Sequence, residues 1–393
     1  MTKNKKNSPT ANSLTKQVLS GATGAESNGN GNGNGNGNGN GRSGGGKNGR
    51  HGRNGGNGKG KKRTPAEKAR LRAQLCADYV DIRMFGAVPG GEGGSGAGKI
   101  LGPIHFEISD SINVVHLYQS TITRNAIANH TMSQSKDANL AMGVKHWVQY
   151  ALFCTRIEVD AYPGRITGLT HGDVVRFFES CINIFALDAS SARPEMNVRK
   201  LIIARHASPL GSYPRPELRE HVINIQQLVP HPRSYADFNV VINTTPPAPT
   251  IELFEVEPMT FVNSNLTMAG ILNSTRQAPI PDDAQIDHKY TAWLIWEAVK
   301  SNPNGDPDNA NAPRMNSVTG QCIVMDVCLK RKVRNWFTKA LGCDIFVAEE
   351  AVLEAQVERS AARLGLAPEE PDPSEDVDMD ESDLDAEASS DDA

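Results

Sequence analysis

Trp293-Leu294-Ile295-Trp296-Glu297-Ala298-Val299, then Ser301-Asn302-Pro303-Asn304-Gly305-Asp306-Pro307-Asp308-Asn309-Ala310-Asn311-Ala312-Pro313-Arg314, then Asp326-Val327-Cys328-Leu329-Lys330-Arg331-Lys332-Val333-Arg334-Asn335-Trp336-Phe337 follow one another near the C-terminal end of the 393-residue chain. They read as an apolar strand, a long Asn/Gly/Pro loop and a basic amphipathic helix. Loop amides, a conformationally free glycine and a row of cations form a surface able to hold a phosphate backbone. The stretch points to nucleic acid.

Working outward, Thr64-Pro65-Ala66-Glu67 reads as an N-cap, a proline at the first helical position and an acid in the first turn, opening a helix over 65–79. Residues 80–88 predict a strand approaching a Gly-rich loop at 89–98, and Ile104, Phe106 and Ile108 alternate with His105, Glu107 and Ser109 as in a half-buried strand. Residues 114–127 run through Leu117, Ile122 and Ile127, 128–140 is a polar loop, and Trp147–Val159 is the longest apolar strand candidate, central in a sheet. Thr170 starts a helix to about Leu187, with Val174, Phe177, Phe178, Cys181, Ile182 and Phe185 at helical spacing. Strands are predicted at 198–204, 222–225 and 238–242, irregular connections at 246–250 and 260–287, a short strand at 344–347 and a helix at 349–364. This order fits an α+β fold, an antiparallel sheet with helices on one face.

The two ends are not core material. Residues 1–63 are a Gly/Asn-rich basic leader, with a strict Asn-Gly alternation from Asn28 to Gly41, and such a segment buries too little surface to offset its ordering entropy. Residues 1–72 carry a net charge of +13, residues 368–393 hold 13 acids and no base, and 73–367 is near neutral at -4. The whole-chain value of -4 therefore conceals a separation of charge, and placement decides nucleic-acid affinity. The boundaries are a disordered leader at 1–63, a folded part at 64–366 and a disordered acidic tail at 367–393. None of the six cysteines forms a CxxC pair, which argues against a zinc site and for buried thiols in a reducing cytosol. No leader h-region and no membrane-length apolar run is present, so a cytoplasmic protein is expected. Gly90–Gly98 lacks the Lys-Ser/Thr of a phosphate-binding loop, and no nucleophile elbow, His-Glu-x-x-His or metal-ligand histidine spacing occurs. A non-enzymatic protein without cofactor or metal is expected.

Asn302-Pro303-Asn304-Gly305-Asp306-Pro307 with Asp326-Val327-Cys328-Leu329-Lys330-Arg331-Lys332 closely resembles the backbone subunit of type I CRISPR Cascade complexes, the Cas-seven family, with the type I-C branch nearest. Further resemblance lies at Asp81–Val88, Gly102–Phe106, Ser120–Arg124, Met142–His146 and Asp188–Arg193. The family places the Asn/Gly loop at its start, and here it stands some 300 residues in, so the chain resembles a circular permutant. Its junction is opened near 366/63 and the original ends are joined through roughly 243–288. The resemblance implies an RRM-like (ferredoxin-like) palm with thumb and finger extensions, polymerising as a homo-oligomeric filament along crRNA. A β-hairpin thumb would kink the guide, and target DNA would pair between kinks. Other Cascade subunits, of the Cas-five and Cas-eight type, are the implied partners, with cleavage left to a recruited nuclease.

Lys330, Arg331, Lys332 and Arg334 are then candidates for phosphate contact, residues 330, 331 and 334 sharing one flank; a solvated face opposite Val327, Leu329 and Val333 is the alternative. Asn302, Asn304, Gly305 and Asn309 either touch phosphate and ribose or order a tight loop against the sheet. Arg83 and Phe85 would present a phosphate contact and a stacking ring on the sheet, unless Phe85 is core. Arg124 is a guide-contact candidate, and Lys145 and His146 sit beside Trp147, either a stacking ring or the start of the buried strand. Arg193 lies beyond a helix end, placed to touch the guide backbone or a neighbouring subunit, and Arg199, Lys200, Arg205 and His206 lean the same way. Two rivals remain: a nuclease using Asp306 or Asp308, which needs convergent carboxylates, and a self-assembling structural protein without nucleic acid.

Overall fold

The computed structural model describes residues 63–89, 96–124, 141–258 and 267–366. The expected leader up to residue 62, the acidic tail, residues 90–95 of the Gly-rich loop and the polar loop at 128–140 lie outside the described residues. In chain order the elements are α1 (Pro65–Asp78), α2 (Val80–Phe85), β1 (Gly86–Ala87), β2 (Ile100–Leu101), β3 (Ile104–Phe106), β4 (Ser109–Val114), β5 (Leu117–Arg124), β6 (Ala141–Val159), α3 (Ala161–Thr167), α4 (His171–Ile182), β7 (Glu195–His206), α5 (Arg215–Val222), β8 (Ile223–Gln227), β9 (Phe238–Ile242), β10 (Ile251–Val256), α6 (Met268–Asn273), β11 (Tyr290–Ser301), β12 (Gly305–Asp306), β13 (Ala312–Pro313), β14 (Gln321–Val324), α7 (Asp326–Leu341) and α8 (Leu353–Arg363).

One antiparallel sheet organises the fold, in the strand order β10-β7-β11-β6-β4-β14, with β3 and β5 also pairing to β6. Along β11, Tyr290, Ala292, Leu294, Trp296 and Ala298 face a core shared with α2, α4, α6 and α7, while Trp293 and Ile295 face a second core. That second core is closed by α5 and the β8–β9 hairpin, through Leu218, Val222, Ile223 and Phe238. Both faces of the central strands are thus covered, which is why β11 and the C-terminal half of β6 read as unbroken apolar runs. Phe153 of β6 stacks on Trp296 at 4.1 Å between ring centroids, and the indole N–H donates to Thr155 Oγ1 at 2.9 Å.

Residues 80–85 form helix α2, not the strand that their alternation suggested. Val80 and Met84, one turn apart, enter the main core, whereas Ile82 on the other side enters a third core with Leu71, Leu75, Phe346 and Val357. A short helix wedged between two cores buries residues at i, i+2 and i+4 and so imitates strand periodicity. Gly86 ends it at φ 72°, and a Cβ there would sit 2.3 Å from Ile100 O.

Three further expectations change. The strand expected at 344–347 is absent; the N–H groups of Phe346 and Val347 donate to the carboxylate of Asp81, at 2.8 and 3.1 Å, in place of a neighbouring strand. Helix α5 was hidden by Pro214 and Pro216, because a proline in the first turn is tolerated. The connection expected to be irregular at 260–287 contains helix α6, and edge strand β10 follows the Pro-rich span 246–250. Arg205, fully buried, ties them to β7: Nε meets Glu252 Oε2 at 2.6 Å, and Nη1 donates to Leu272 O at 2.6 Å.

The remaining end of the sheet is held by His206, whose Nδ1 accepts from Ser212 N at 3.0 Å and whose Nε2 lies 3.2 Å from Thr291 Oγ1. Burial, and then the nearby charges of Lys289 and Arg215, push its pKa from 6.5 down to about 4. The unfolded chain binds this proton first, so the stability His206 contributes is present above pH 6.5 and is lost as the pH falls toward 4. Urea titrations across this window should show His206→Gln reducing the slope of stability against pH by up to about 1.4 kcal/mol per unit. An unchanged slope would mean that the imidazole is not held neutral.

Candidate nucleic-acid interface

Helix α7 spans Asp326–Leu341 as its sequence predicted, but its bases do not stand as a solvent-facing comb. Arg334 Nε reaches Asp81 Oδ2 at 2.9 Å, and Asp81 is fully buried. Lys332 is itself buried and pairs with Asp188. Lys330 pairs with Asp326 one turn back at 2.8 Å, and both Lys330 and Arg334 lie over the ring of Phe85, at 5.9 and 5.2 Å. Arg331 turns the other way, to Val347 O and Glu349 at the surface. The expected flank of residues 330, 331 and 334 therefore divides between two directions, with Arg331 the most exposed of the three at 38% of its side chain.

Arg83 and Phe85 do not take the sheet position expected of them, and Phe85 takes the core position given as its alternative. They sit on α2, not on a strand, and Arg83 grips Asp173 with two hydrogen bonds of 2.8 and 3.0 Å. Burial disfavours the charged carboxylate of Asp173, but hydrogen bonds and charge from Arg83, with donation from Thr170, outweigh it and hold its pKa below the usual value. Phe85 packs between Phe106 and Phe177, as core. Arg199, Lys200 and Arg205 also have acidic partners from their own chain: Glu297, then Glu255 with Glu257, then Glu252.

The Asn/Gly loop meets Arg193 at the opposite end of the sheet. Asn302 N donates to Ala192 O at 2.8 Å, Asn302 Nδ2 to Asn311 O at 2.7 Å, and Met325 N to Asn304 Oδ1 at 2.9 Å, so both asparagines brace the turn from β11 into α7. A Cβ at Gly305 would lie 1.9 Å from Asn311 Oδ1, so a larger residue there would displace the Asn311 side chain. Asn309, on the short turn Pro307–Asn309, faces solvent. Asp188 holds Arg193 at 2.9 Å as well as Lys332, one carboxylate against two cations, at the edge of a shallow cleft also lined by Phe185, Glu195, Met196 and Asn197. Asp306 pairs with Arg314 at 3.1 Å, and Asp308 is exposed.

The third group of candidates lies on a hairpin. Strand β6 continues beyond the sheet, and its residues 141–148 pair with β5 from Leu117↔Val148 to Arg124↔Ala141. The root is pinned where β4 gives way to β5. There the buried amide of Asn113 accepts from Leu152 N at 3.1 Å and donates to Tyr150 O at 3.0 Å, continuing the ladder by side chain. Ser301↔Val148 places this root beside the Asn302 loop. Cross-strand partners share a face. One face carries Tyr118 stacked on Trp147 (6.1 Å, 16°), then Ser120 with Lys145, then Ile122 with Gly143, and the register position of Arg124 comes next. His146 belongs to the other face, with Leu117 and Val144. Tyr118 is 45% exposed and Ile122 56%. Lys145 has no ion-pair partner among the described residues, and β5 and β6 up to Glu158 contain no acid. Tyr118, Ser120 and Ile122 were not singled out from sequence; two acid-free segments flanking one polar loop were the available signal.

Thiol chemistry has no support here: burial pushes Cys76 and Cys154 up to about 11 and Cys322 to about 12. Among the described residues no group of three His, Cys, Asp or Glu side chains could hold a metal ion, and no helix is long and apolar enough to cross a membrane.

Sheet, bracing loop and projecting hairpin define a mixed α/β protein with most of its helices on one face of an antiparallel sheet. A profile of the family described as CRISPR-associated protein Cas7 matches residues 36–243 and 288–389, and the chain belongs to this family. Proteins of the family act within multi-subunit CRISPR complexes. No curated protein matches the chain by sequence.

The two kinds of cation differ in what their removal should do. Arg334→Ala, leaving Asp81 buried without its counter-charge, should lower stability to urea by about 3 kcal/mol. Arg331→Ala, at an exposed pair, should change it by less than about 0.5 kcal/mol. Equal effects would show that burial does not separate them.

Proposed function

We propose that this chain is a guide-RNA-binding backbone subunit of a type I-C-like CRISPR interference complex, which polymerises along crRNA and presents it to target DNA. Family membership supports the setting, and the hairpin is the observation that carries the reading. A two-stranded arm whose strands carry no acid up to Glu158, with a stacked aromatic pair and a lysine that has no ion-pair partner among the described residues, suits a single strand, since rings stack on bases of any sequence and cations follow the backbone. Tyr118, Lys145, Trp147 and Arg124 are assigned to the strand's path, with Arg193, Arg331 and Asn309 as further backbone contacts. Lys330, Lys332, Arg334, Arg83 and Phe85 act behind them by fixing α7 and α2. The hairpin corresponds to the thumb of an RRM-like palm.

A circularly permuted order belongs to the same reading. It is supported by the packing of α1 against α8, where Arg63 meets Glu358 at 2.8 Å and Asp78 meets Ser360 and Arg363, so that the proposed junction at 366/63 falls between two helices in contact. The family match also stops at 243 and resumes at 288, the span assigned to the join.

Binding rather than catalysis is proposed for Asp306 and Asp308, because Asp306 faces Arg314 and the two lie in one loop without a convergent third acid among the described residues. Asp306→Asn should leave the integrity of labelled target unchanged in Mg²⁺; cleavage abolished by that substitution would favour a nuclease. For binding, a 30-nucleotide RNA should lose affinity linearly in log salt, and Lys145→Glu should lower that slope by about 0.7 or more. Tyr118→Ala should weaken binding at every salt concentration with little change in slope. Unaltered affinity in both variants would remove the hairpin from the RNA's path.

A further inference from the structure

The arm's charge and apolar surface have a counterpart in the same chain. Between residues 369 and 392 stand 13 acids and no base, and Val377, Met379 and Leu384 are interleaved with Asp376, Asp378, Asp380, Glu381, Asp383 and Asp385. Carboxylates at close intervals with apolar side chains between them offer what a nucleic-acid strand offers, namely negative charge for Lys145 and an apolar body for the rings of Tyr118 and Trp147 and the side chain of Ile122. Most other cations of the fold are already neutralised by their own chain, as Arg83, Lys200, Arg205, Lys332 and Arg334 are. The hairpin's strands combine a lysine without an ion-pair partner among the described residues, no acid in β5 or in β6 up to Glu158, and exposed apolar surface.

We propose that the acidic segment 369–392 occupies the Tyr118/Lys145/Trp147 face of the hairpin when RNA is absent, and that RNA binding displaces it. The inference rests on the RNA-binding reading of that face. Reach is sufficient: 27 residues follow Leu366, at up to about 3.3 Å each they extend roughly 90 Å, and a domain of this size is on the order of 50 Å across. Tethering matters more than intrinsic affinity. An attached segment has an effective concentration of about 1 mM, so a tail that binds with a dissociation constant of about 0.1 mM weakens a competitor about tenfold. The competition falls equally on any RNA, and it is overcome where a strand gains many contacts along a polymer. The segment therefore sets a threshold against short or unrelated RNA.

The test uses the full-length chain with Asp376, Asp378, Asp380, Asp383 and Asp385 changed to Asn and Glu381 to Gln, alongside a chain ending at Leu366. Affinity for an unrelated 30-nucleotide RNA is measured at low salt, in the parent background and with Tyr118→Ala and Lys145→Glu together. The expected result in the parent background is about tenfold tighter binding on removing the tail and a smaller gain in the same direction from the six substitutions, and no gain from either in the hairpin background. Unchanged affinity would overturn the inference while leaving RNA binding intact, and a gain that persists in the hairpin background would overturn it by placing the tail elsewhere. Absence of RNA binding by every chain would instead overturn the reading of the hairpin itself, and this inference with it.

Discussion

Strand β6 is the constraint on which the rest of the molecule depends. Its nineteen residues are buried between two cores at one end and half-buried to exposed from Gly143 to Trp147 at the other, so one continuous backbone ladder transmits the rigidity of the sheet to the arm. The central half is clamped by β11, where Phe153 stacks on Trp296. An isolated two-stranded hairpin is marginal in water, and this one is stable because half of its longer strand already belongs to a packed sheet. Asn113 is the small device that permits it, since its amide carries the hydrogen-bond ladder past the point where β4 turns away and β5 begins.

A second principle is the use of buried ion pairs to lock helices to one another. Asp81 receives Arg334 and two backbone N–H groups, Asp173 receives Arg83 and caps α4, and Asp188 receives Lys332 and Arg193. Breaking such pairs is costly, although replacing them whole with apolar groups is often neutral. Their value here is geometric: α2, α4 and α7 are oriented around Phe85, whose ring has two cations within 6 Å of its centroid. The consequence for function is a separation of roles, in which cations behind the surface hold the scaffold and cations on the arm remain available.

The span between the two matched parts of the family profile follows the same logic. Glu252 and Glu255, with Glu257 just past the strand, neutralise Arg205 and Lys200 of β7, and Ile251, Phe254 and Val256 fill the two cores. The segment that follows the Pro-rich connection at 246–250 thereby becomes the edge of the sheet, and covers a strand that would otherwise expose its hydrogen-bonding groups.

Local chemistry was legible in the sequence, and long-range pairing was not. The capping box of Thr64 and Glu67, the extent of α7, strand β9, the central position of β6 and the existence of β11 as a strand all follow from cap residues and periodicity within a few residues of one another. The Asn/Gly loop was recognisable too, although its asparagines turned out to brace the chain. Which lysines and arginines are available was beyond the sequence, because their partners lie far along it: Arg334 and Asp81 are 253 positions apart, Lys332 and Asp188 144. Burial likewise decided that residues 80–85 are helical, since a short helix between two cores presents the same alternation as a strand. Sequence determined which groups could bind a phosphate chain; only folding decided which of them are left facing solvent, because a charge is free or neutralised according to what three-dimensional packing brings beside it.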